Sequence, residues 1–206
     1  MTKFKNKYRN ESARASWWDY ANDGAYFITI CTAGREWLFG EISNNEMHLS
    51  SIGEIVYHEW NKSFDMRAEL FCDTFVIMPN HIHAILRIEN DIVGAVGIVG
   101  THGRASQLDG RAYQQDSRAF QQNQTSSNTG VAYRSPKSIS SFVAGFKSSA
   151  TKRINEFRNS PKIPVWQPRF HDHIIRNESA YHRIYNYIEN NIGKWEKDQF
   201  FKNDEM

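Results

Sequence analysis

The sequence predicts an α+β fold in which two helices cover one face of an antiparallel sheet, and three features carry that expectation. The 206 residues, 40% hydrophobic and 14% aromatic, suffice for one real core and leave little for a second full domain. Short β-branched and aromatic runs alternate with stretches of helical periodicity. Their order, β-α-β-β-α-β-α, is that of a ferredoxin-like sandwich with one extra C-terminal helix. The other face of the sheet is expected to be free for a substrate.

Each element has a local reason. "AYFITICT" (25 to 32) reads as the first strand and is followed by a turn at Gly34 and "EWLFGEI". Ser51 with Glu54 three residues on has the form of a capping box, and Ile52, Ile55, Val56 and Trp60 keep helical spacing behind it. "LFCDTFVIM" (70 to 78) and "HIHAILRI" (81 to 88) form a hairpin through Pro79 and Asn80, residues suited to a tight connection. Ser135-Pro136 supplies an N-cap and a first-turn proline for a helix whose apolar face is Ile139, Phe142, Val143, Phe146, Ala150, Ile154 and Phe157. "VWQPRFHDHIIR" (165 to 176) has room for a fourth strand, and "ESAYHRIYNYIENNI" (178 to 192) makes the last helix. The tail "EKDQFFKNDEM" reads as peripheral.

Residues 90 to 135 shift to Gly, Ser, Gln, Asn and Thr, a composition too poor in large apolar groups to offset the entropy of ordering. The segment reads as an inserted loop. Its seven-residue repeat, "GRASQLD", "GRAYQQD", "SRAFQQN" (103 to 123), lacks the apolar seams of a coiled coil and reads as a tandem duplication tolerated in a loop.

Net charge is only +2, yet residues 132 to 176 carry nine Lys/Arg against Glu156 and Asp172, and the arm "TKFKNKYRNESAR" repeats the bias. Local excess of that kind is the footprint of a phosphate-bearing partner, and solvated helix faces produce it too. Cys31 and Cys72 lack the spacing of a zinc or redox motif and read as small core residues of a reduced protein. No run of about 18 apolar residues occurs, so neither membrane insertion nor export is expected.

"FVIMPNHIHAIL" (75 to 86) sets two histidines two places apart in an apolar run. Strand side chains alternate, so His81 and His83 share a face while Ile82 points to the core. Two neutral imidazoles converging on one point suit a divalent metal, and two surface histidines have the same spacing. In the last helix, Tyr181, Ile184, Tyr185, Ile188 and Ile192 make the apolar stripe, and Tyr187 lies well off its centre. Asn191, four residues later, presents an amide on the same flank. A nucleophilic phenol with a third ligand, or an amphipathic surface tyrosine, both fit that placement.

Five blocks in order, "YFITICTAGREWLFGEI", "FVIMPNHIHAIL", "FKSSATKRIN", "WQPRFHDHIIR" and "YIENNIGKW", resemble the single-tyrosine HUH transposases, most of all the REP-associated tyrosine transposase branch. The resemblance covers nearly all of the chain outside 90 to 135. It implies one HUH domain over 1–206, with a basic arm at 1–20. It implies His81, His83 and Asn191 as metal ligands, Tyr187 as nucleophile, and Mg2+ or Mn2+ as cofactor. His173, in the "WQ" block, is a possible support for the site or the DNA. One departure is Ile192, where the family often has proline; its absence is expected to lengthen the last helix.

The resemblance implies a metal-dependent single-strand DNA endonuclease and strand transferase that cuts hairpin-forming REP-like sequences through a 5'-phosphotyrosine. Its partners are single-stranded or hairpin DNA and not a membrane. It is expected to act as a monomer or homodimer in the cytoplasm. Lys147, Lys152, Arg153 and Arg158 are the expected phosphate contacts, with Trp17, Trp18 and Trp166 as stacking surfaces or core residues. Three other readings are weighed beside it. A non-catalytic nucleic-acid-binding domain would show the same charge pattern, and a replication initiator or relaxase of the wider HUH group lacks the "WQ" and "YIENN" blocks. An amidohydrolase barrel needs about 250 residues.

Overall fold

The computed structural model describes residues 3–4, 7–8, 18–90 and 135–201. The repeat at 103–123, Trp17 and most of the basic arm and of the 90 to 135 segment lie outside them. Two short strands, β1 (Lys3–Phe4) and β2 (Lys7–Tyr8), pair antiparallel. β3 (Gly24–Cys31) is followed by a small hairpin of β4 (Gly40–Ser43) and β5 (Glu46–Leu49), then helix α1 (Ser51–Lys62). Next come β6 (Leu70–Met78), β7 (His81–Ile88), α2 (Ile139–Phe157), β8 (His171–Ile175) and α3 (Glu178–Glu189). The main sheet runs β6-β7-β3-β8 and every pairing is antiparallel. That is the predicted ferredoxin-like order. Among the described residues no helix is long and apolar enough to cross a membrane.

Period two divides the sheet into two faces. Tyr26, Ile28 and Ile30 of β3 and Ile82, Ala84, Leu86 and Ile88 of β7 are fully buried against α1 and α2, with Trp60, Phe142 and Phe146 filling the space between. Each such aliphatic side chain taken from water contributes roughly 1.5–3 kcal/mol, so this layer fixes the register of both strands. A one-residue slip would send His81 and His83 into that core.

The opposite face, expected from the sequence to be free, is partly covered, because α3 packs across it. Ala180 and Ile188 meet Ile85 and Ile175, with Tyr181, Ile184 and Tyr185 around them. A bulge in β6 directs this docking. The register shifts between Cys72 and Thr74, leaving Asp73 as the extra residue. Asp73 Oδ2 then accepts a hydrogen bond from the Tyr181 hydroxyl at 2.9 Å, and Thr74 donates to Glu189 at 2.6 Å. The two hydrogen bonds tie both ends of α3 to one edge strand.

Several boundaries differ from the sequence expectation. Ser50, not Ser51, caps α1 by accepting from the Gly53 N–H. Ser138, not Ser135, caps α2 by accepting from the Ser141 N–H, and its hydroxyl donates to the Ser135 carbonyl. The Phe157 side chain expected on the apolar face of α2 is 56% exposed. The β4–β5 hairpin was not foreseen: Asn44 and Asn45 turn it with φ of 53° and 60°, the left-handed pair that a two-residue hairpin turn requires. α3 stops at Glu189 despite Ile192, since Asn190 caps it and the chain tightens into a 3-10 segment, Ile192–Lys197. The tail is not peripheral either. Trp195 is buried, and the Phe200 carbonyl accepts from Asn80 Nδ2 at 2.8 Å. Nor is Cys31 a core residue; it faces the α3 side of the sheet and is partly exposed.

Candidate active site

β7 delivers both histidines to the α3 side, fully buried, with ring centroids 4.4 Å apart. The preceding turn sets the first ring. Asn80 Nδ2 donates to the carbonyls of Arg35 and Phe200, at 3.1 and 2.8 Å, so its carbonyl oxygen is the atom turned to His81 Nδ1 at 2.8 Å. A carbonyl oxygen only accepts, hence Nδ1 carries the proton. Burial, with the Arg35 guanidinium adding to it, holds the imidazole down at about 3, so the ring is neutral near pH 7. The lone pair of His81 therefore sits on Nε2, a buried atom without a hydrogen-bond partner.

The second ring is set alike. His83 Nδ1 lies 2.8 Å from Thr29 Oγ1, and the Ile28 backbone carbonyl favours a proton on the ring. Burial first, then the neighbouring His81, lowers this imidazole to about 3 as well. Its Nε2 lies 3.1 Å from the hydroxyl of Tyr187.

Tyr187 reaches that position because it lies off the stripe that docks α3. Its ring meets Phe27 and His83 edge-on, and the residue is 38% exposed. Burial of the hydroxyl, then the Asp198 carboxylate, pushes the phenol up to about 12. Asn191 follows in the tightened turn after α3, buried, its Nδ2 donating to Asp198 Oδ2 at 3.3 Å and its Oδ1 without a partner. Tyr187, His81, His83 and Asn191 come together within one chain.

Asp198 was missed in the sequence. Its Oδ2 is 3.3 Å from the Tyr187 hydroxyl, and its Oδ1 accepts from the Phe200 N–H. Ligand atoms of His81, His83 and Asp198 all lie within 4.8 Å of one another. A signal was present: Trp195, Phe200 and Phe201 are too apolar for a solvated tail. The Phe200 ring packs tilted against His81 with centroids 4.6 Å apart, and Arg35 lies over the Phe200 ring. Two buried unpartnered acceptors beside a carboxylate fit a divalent cation, and the oxygen donors supply the hardness that two imidazoles alone lack.

Three of the four expected DNA contacts lie away from Tyr187. Lys152, Arg153 and Arg158 belong to α2 and its C-cap, across the sheet from Tyr187; Lys152 faces Glu156, Arg153 faces Glu59, and Arg158 donates to Asn155 and to the Ile163 carbonyl. The fourth, Lys147, donates hydrogen bonds to the carbonyls of Gln167 and Arg169, and burial lowers its ammonium to about 8. His173 pairs with Phe27 on the site face; His171, opposite Thr29 and equally exposed, lines a cleft beside Tyr187 together with His83. Trp166 is buried between Phe39 and Phe146, and Trp18 donates to the Tyr26 hydroxyl, so both are structural.

An uncharacterized protein of Haemophilus influenzae is 34% identical over 194 residues, which is 94% of each chain. This chain belongs to its family. No family model matches the sequence. Among solved structures, a REP-associated tyrosine transposase bound to a REP hairpin is similar at a TM-score of 0.51 and 18% identity, covering 88% of this chain and 74% of that one. At that identity the likeness establishes a shared fold, and the family assignment rests on the Haemophilus relative.

Proposed function

We propose that the chain is a metal-dependent single-strand DNA endonuclease and strand transferase of the HUH single-tyrosine type, acting on hairpin-forming REP-like DNA. The observation that carries this reading is the Tyr187 hydroxyl 3.1 Å from His83 Nε2, beside the unpartnered His81 Nε2 and Asn191 Oδ1. The REP-associated transposase of like fold and the HUH motifs support it. His81, His83 and Asn191 would hold Mg2+ or Mn2+, with Asp198 as a further oxygen donor. The bound cation would polarise the scissile phosphate and stabilise the charge that develops on it.

The chain's own groups do the rest. Because its phenol is neutral near pH 7, Tyr187 must lose its proton as it attacks, and Asp198 Oδ2, 3.3 Å away, would take it. A Tyr187 oxygen–phosphorus bond forms, the bond from phosphorus to the 3' oxygen breaks, and that oxygen leaves with a proton from water. The products are a 5'-phosphotyrosine and a free 3'-hydroxyl, and the covalent link keeps the bond energy for rejoining.

The test uses end-labelled hairpin DNA from repeats beside the gene, with and without Mn2+, on a denaturing gel. A metal-dependent protein adduct, lost in Tyr187→Phe while hairpin binding persists, is the expected result. Tight binding without an adduct would overturn the reading in favour of a non-catalytic DNA-binding domain.

A further inference from the structure

We infer that the Tyr187 hydroxyl and a divalent cation compete for one lone pair, that of His83 Nε2, so that metal entry turns the nucleophile from His83 to Asp198. The inference rests on the proposed function for the cation and for the role of Tyr187. The hydrogen bonds that carry it belong to this chain alone.

Which atom donates between Tyr187 and His83 is decided on the far side of the ring. His83 Nδ1 lies 2.8 Å from Thr29 Oγ1 and is also hydrogen-bonded to the Ile28 backbone carbonyl. A carbonyl oxygen only accepts, so Nδ1 carries the proton and Nε2 the lone pair. The ring is buried and neutral near pH 7, which leaves no second proton to place. The 3.1 Å contact between Tyr187 and His83 Nε2 is therefore a hydrogen bond donated by the phenol.

A phenol has one proton, and Tyr187 has two acceptors for it: His83 Nε2 at 3.1 Å and Asp198 Oδ2 at 3.3 Å. A neutral imidazole has one acceptor nitrogen, so a metal–nitrogen bond at Nε2 leaves the phenol nothing there to donate to. His81 Nε2 and Asn191 Oδ1 have no partner to lose. Of these three ligand atoms only that of His83 must give up a bond to a cation. Asp198 is then the acceptor left to Tyr187, and it is held in place by the Phe200 N–H and Asn191 Nδ2. A carboxylate, with about four acceptor sites, can serve a cation and the phenol together. No proton moves between groups at that stage; the O–H bond stays intact and only its acceptor changes. The consequence is an order of events, in which the hydroxyl turns to its base only once the site is loaded.

The experiment is isothermal titration of the full chain with Mn2+ near neutral pH and without DNA. Tyr187→Phe removes the competing donor and keeps the ring, so it is expected to bind Mn2+ about three- to tenfold more tightly than the parent, the scale of one net hydrogen bond. Tyr181→Phe deletes a hydroxyl of the same helix that bonds Asp73 and should stay within about twofold of the parent. Unchanged or weaker binding by Tyr187→Phe, or an equal rise in Tyr181→Phe, overturns the competition. A second readout needs no metal: in EDTA, nitrogen-15 NMR of labelled histidines should show His83 Nε2 unprotonated, shifted upfield by the phenol and returning downfield in Tyr187→Phe. A protonated Nε2, or a signal that does not move, overturns it as well. Neither measurement involves cleavage, so the two readings fail separately. Competition without a Tyr187 adduct on hairpin DNA removes the transposase reading alone, and an adduct without competition removes this inference alone. A parent chain that binds no Mn2+ overturns both.

Discussion

Asn80 Oδ1 accepts a hydrogen bond from His81 Nδ1–H at 2.8 Å, and so fixes which nitrogen of that buried ring keeps a lone pair. The same amide holds the tail through Phe200 and the turn through Arg35. Asn80→Ala is therefore expected to weaken Mn2+ binding by about 10- to 100-fold, the usual effect of losing a partner behind a metal-bound imidazole. Isothermal titration with Mn2+ measures this, and a variant that binds as tightly as the parent would remove Asn80 from the site.

Acid should unfold the metal-free protein early. A histidine in the unfolded chain takes its proton near 6.5, whereas His81 and His83 accept theirs only at about 3. Between those values the unfolded state binds more protons, so stability is full above about pH 6.5 and declines as pH falls towards 3. Thermal melts in EDTA from pH 7.5 to 5 should show a falling Tm. The fall should be shallower in a His81→Gln, His83→Gln variant; parallel slopes would contradict the buried neutral pair.

The bulge at Asp73 makes a prediction about catalysis from outside the site. Thr74 reaches Glu189 and Asp73 reaches Tyr181, and α3 carries Tyr187 between those anchors. Thr74→Val keeps the shape and deletes the donor to a carboxylate, a loss of about 1.5–3 kcal/mol. Urea unfolding should register that loss, while the rate of adduct formation falls roughly tenfold or more, because small displacements of a nucleophile are costly. Unchanged rates in a destabilised variant would mean that the anchors support only the fold.

The parts of the site that follow a period were legible in the sequence. Alternation alone puts His81 and His83 on one face and Ile82 on the other, and the stripe of α3 isolates Tyr187. Asp198 obeys no period: it arrives through a 3-10 turn and a bend eleven residues beyond Tyr187, held by Trp195 and Phe200. The caps at Ser50 and Ser138 were misplaced because several serines cluster at each helix start, and only the hydrogen bond selects among them. Charge counting does not reveal the partners of Lys147, whose ammonium is engaged by two carbonyls distant in sequence. The Asn44-Asn45 turn was a readable hairpin signal, obscured by the short strands of four residues on either side.

Asp198 has two roles that one substitution separates. After burial, the larger cause, its carboxylate helps push the Tyr187 phenol up to about 12, and it also faces the imidazoles within metal-ligating distance. Asp198→Asn removes the charge and keeps the shape. A negative neighbour disfavours phenolate, so the Tyr187 titration should move down from about 12, visible as the part of the ultraviolet phenolate signal that Tyr187→Phe abolishes. Mn2+ affinity should fall by about tenfold or more, at least the effect of losing an outer partner of a ligand. If Asp198 only accepted the proton, adduct formation would drop with Mn2+ affinity intact; if it only bound metal, excess Mn2+ would restore the rate. A variant in which neither the phenol titration nor the metal affinity moves would show that the tail covers the site without taking part in it.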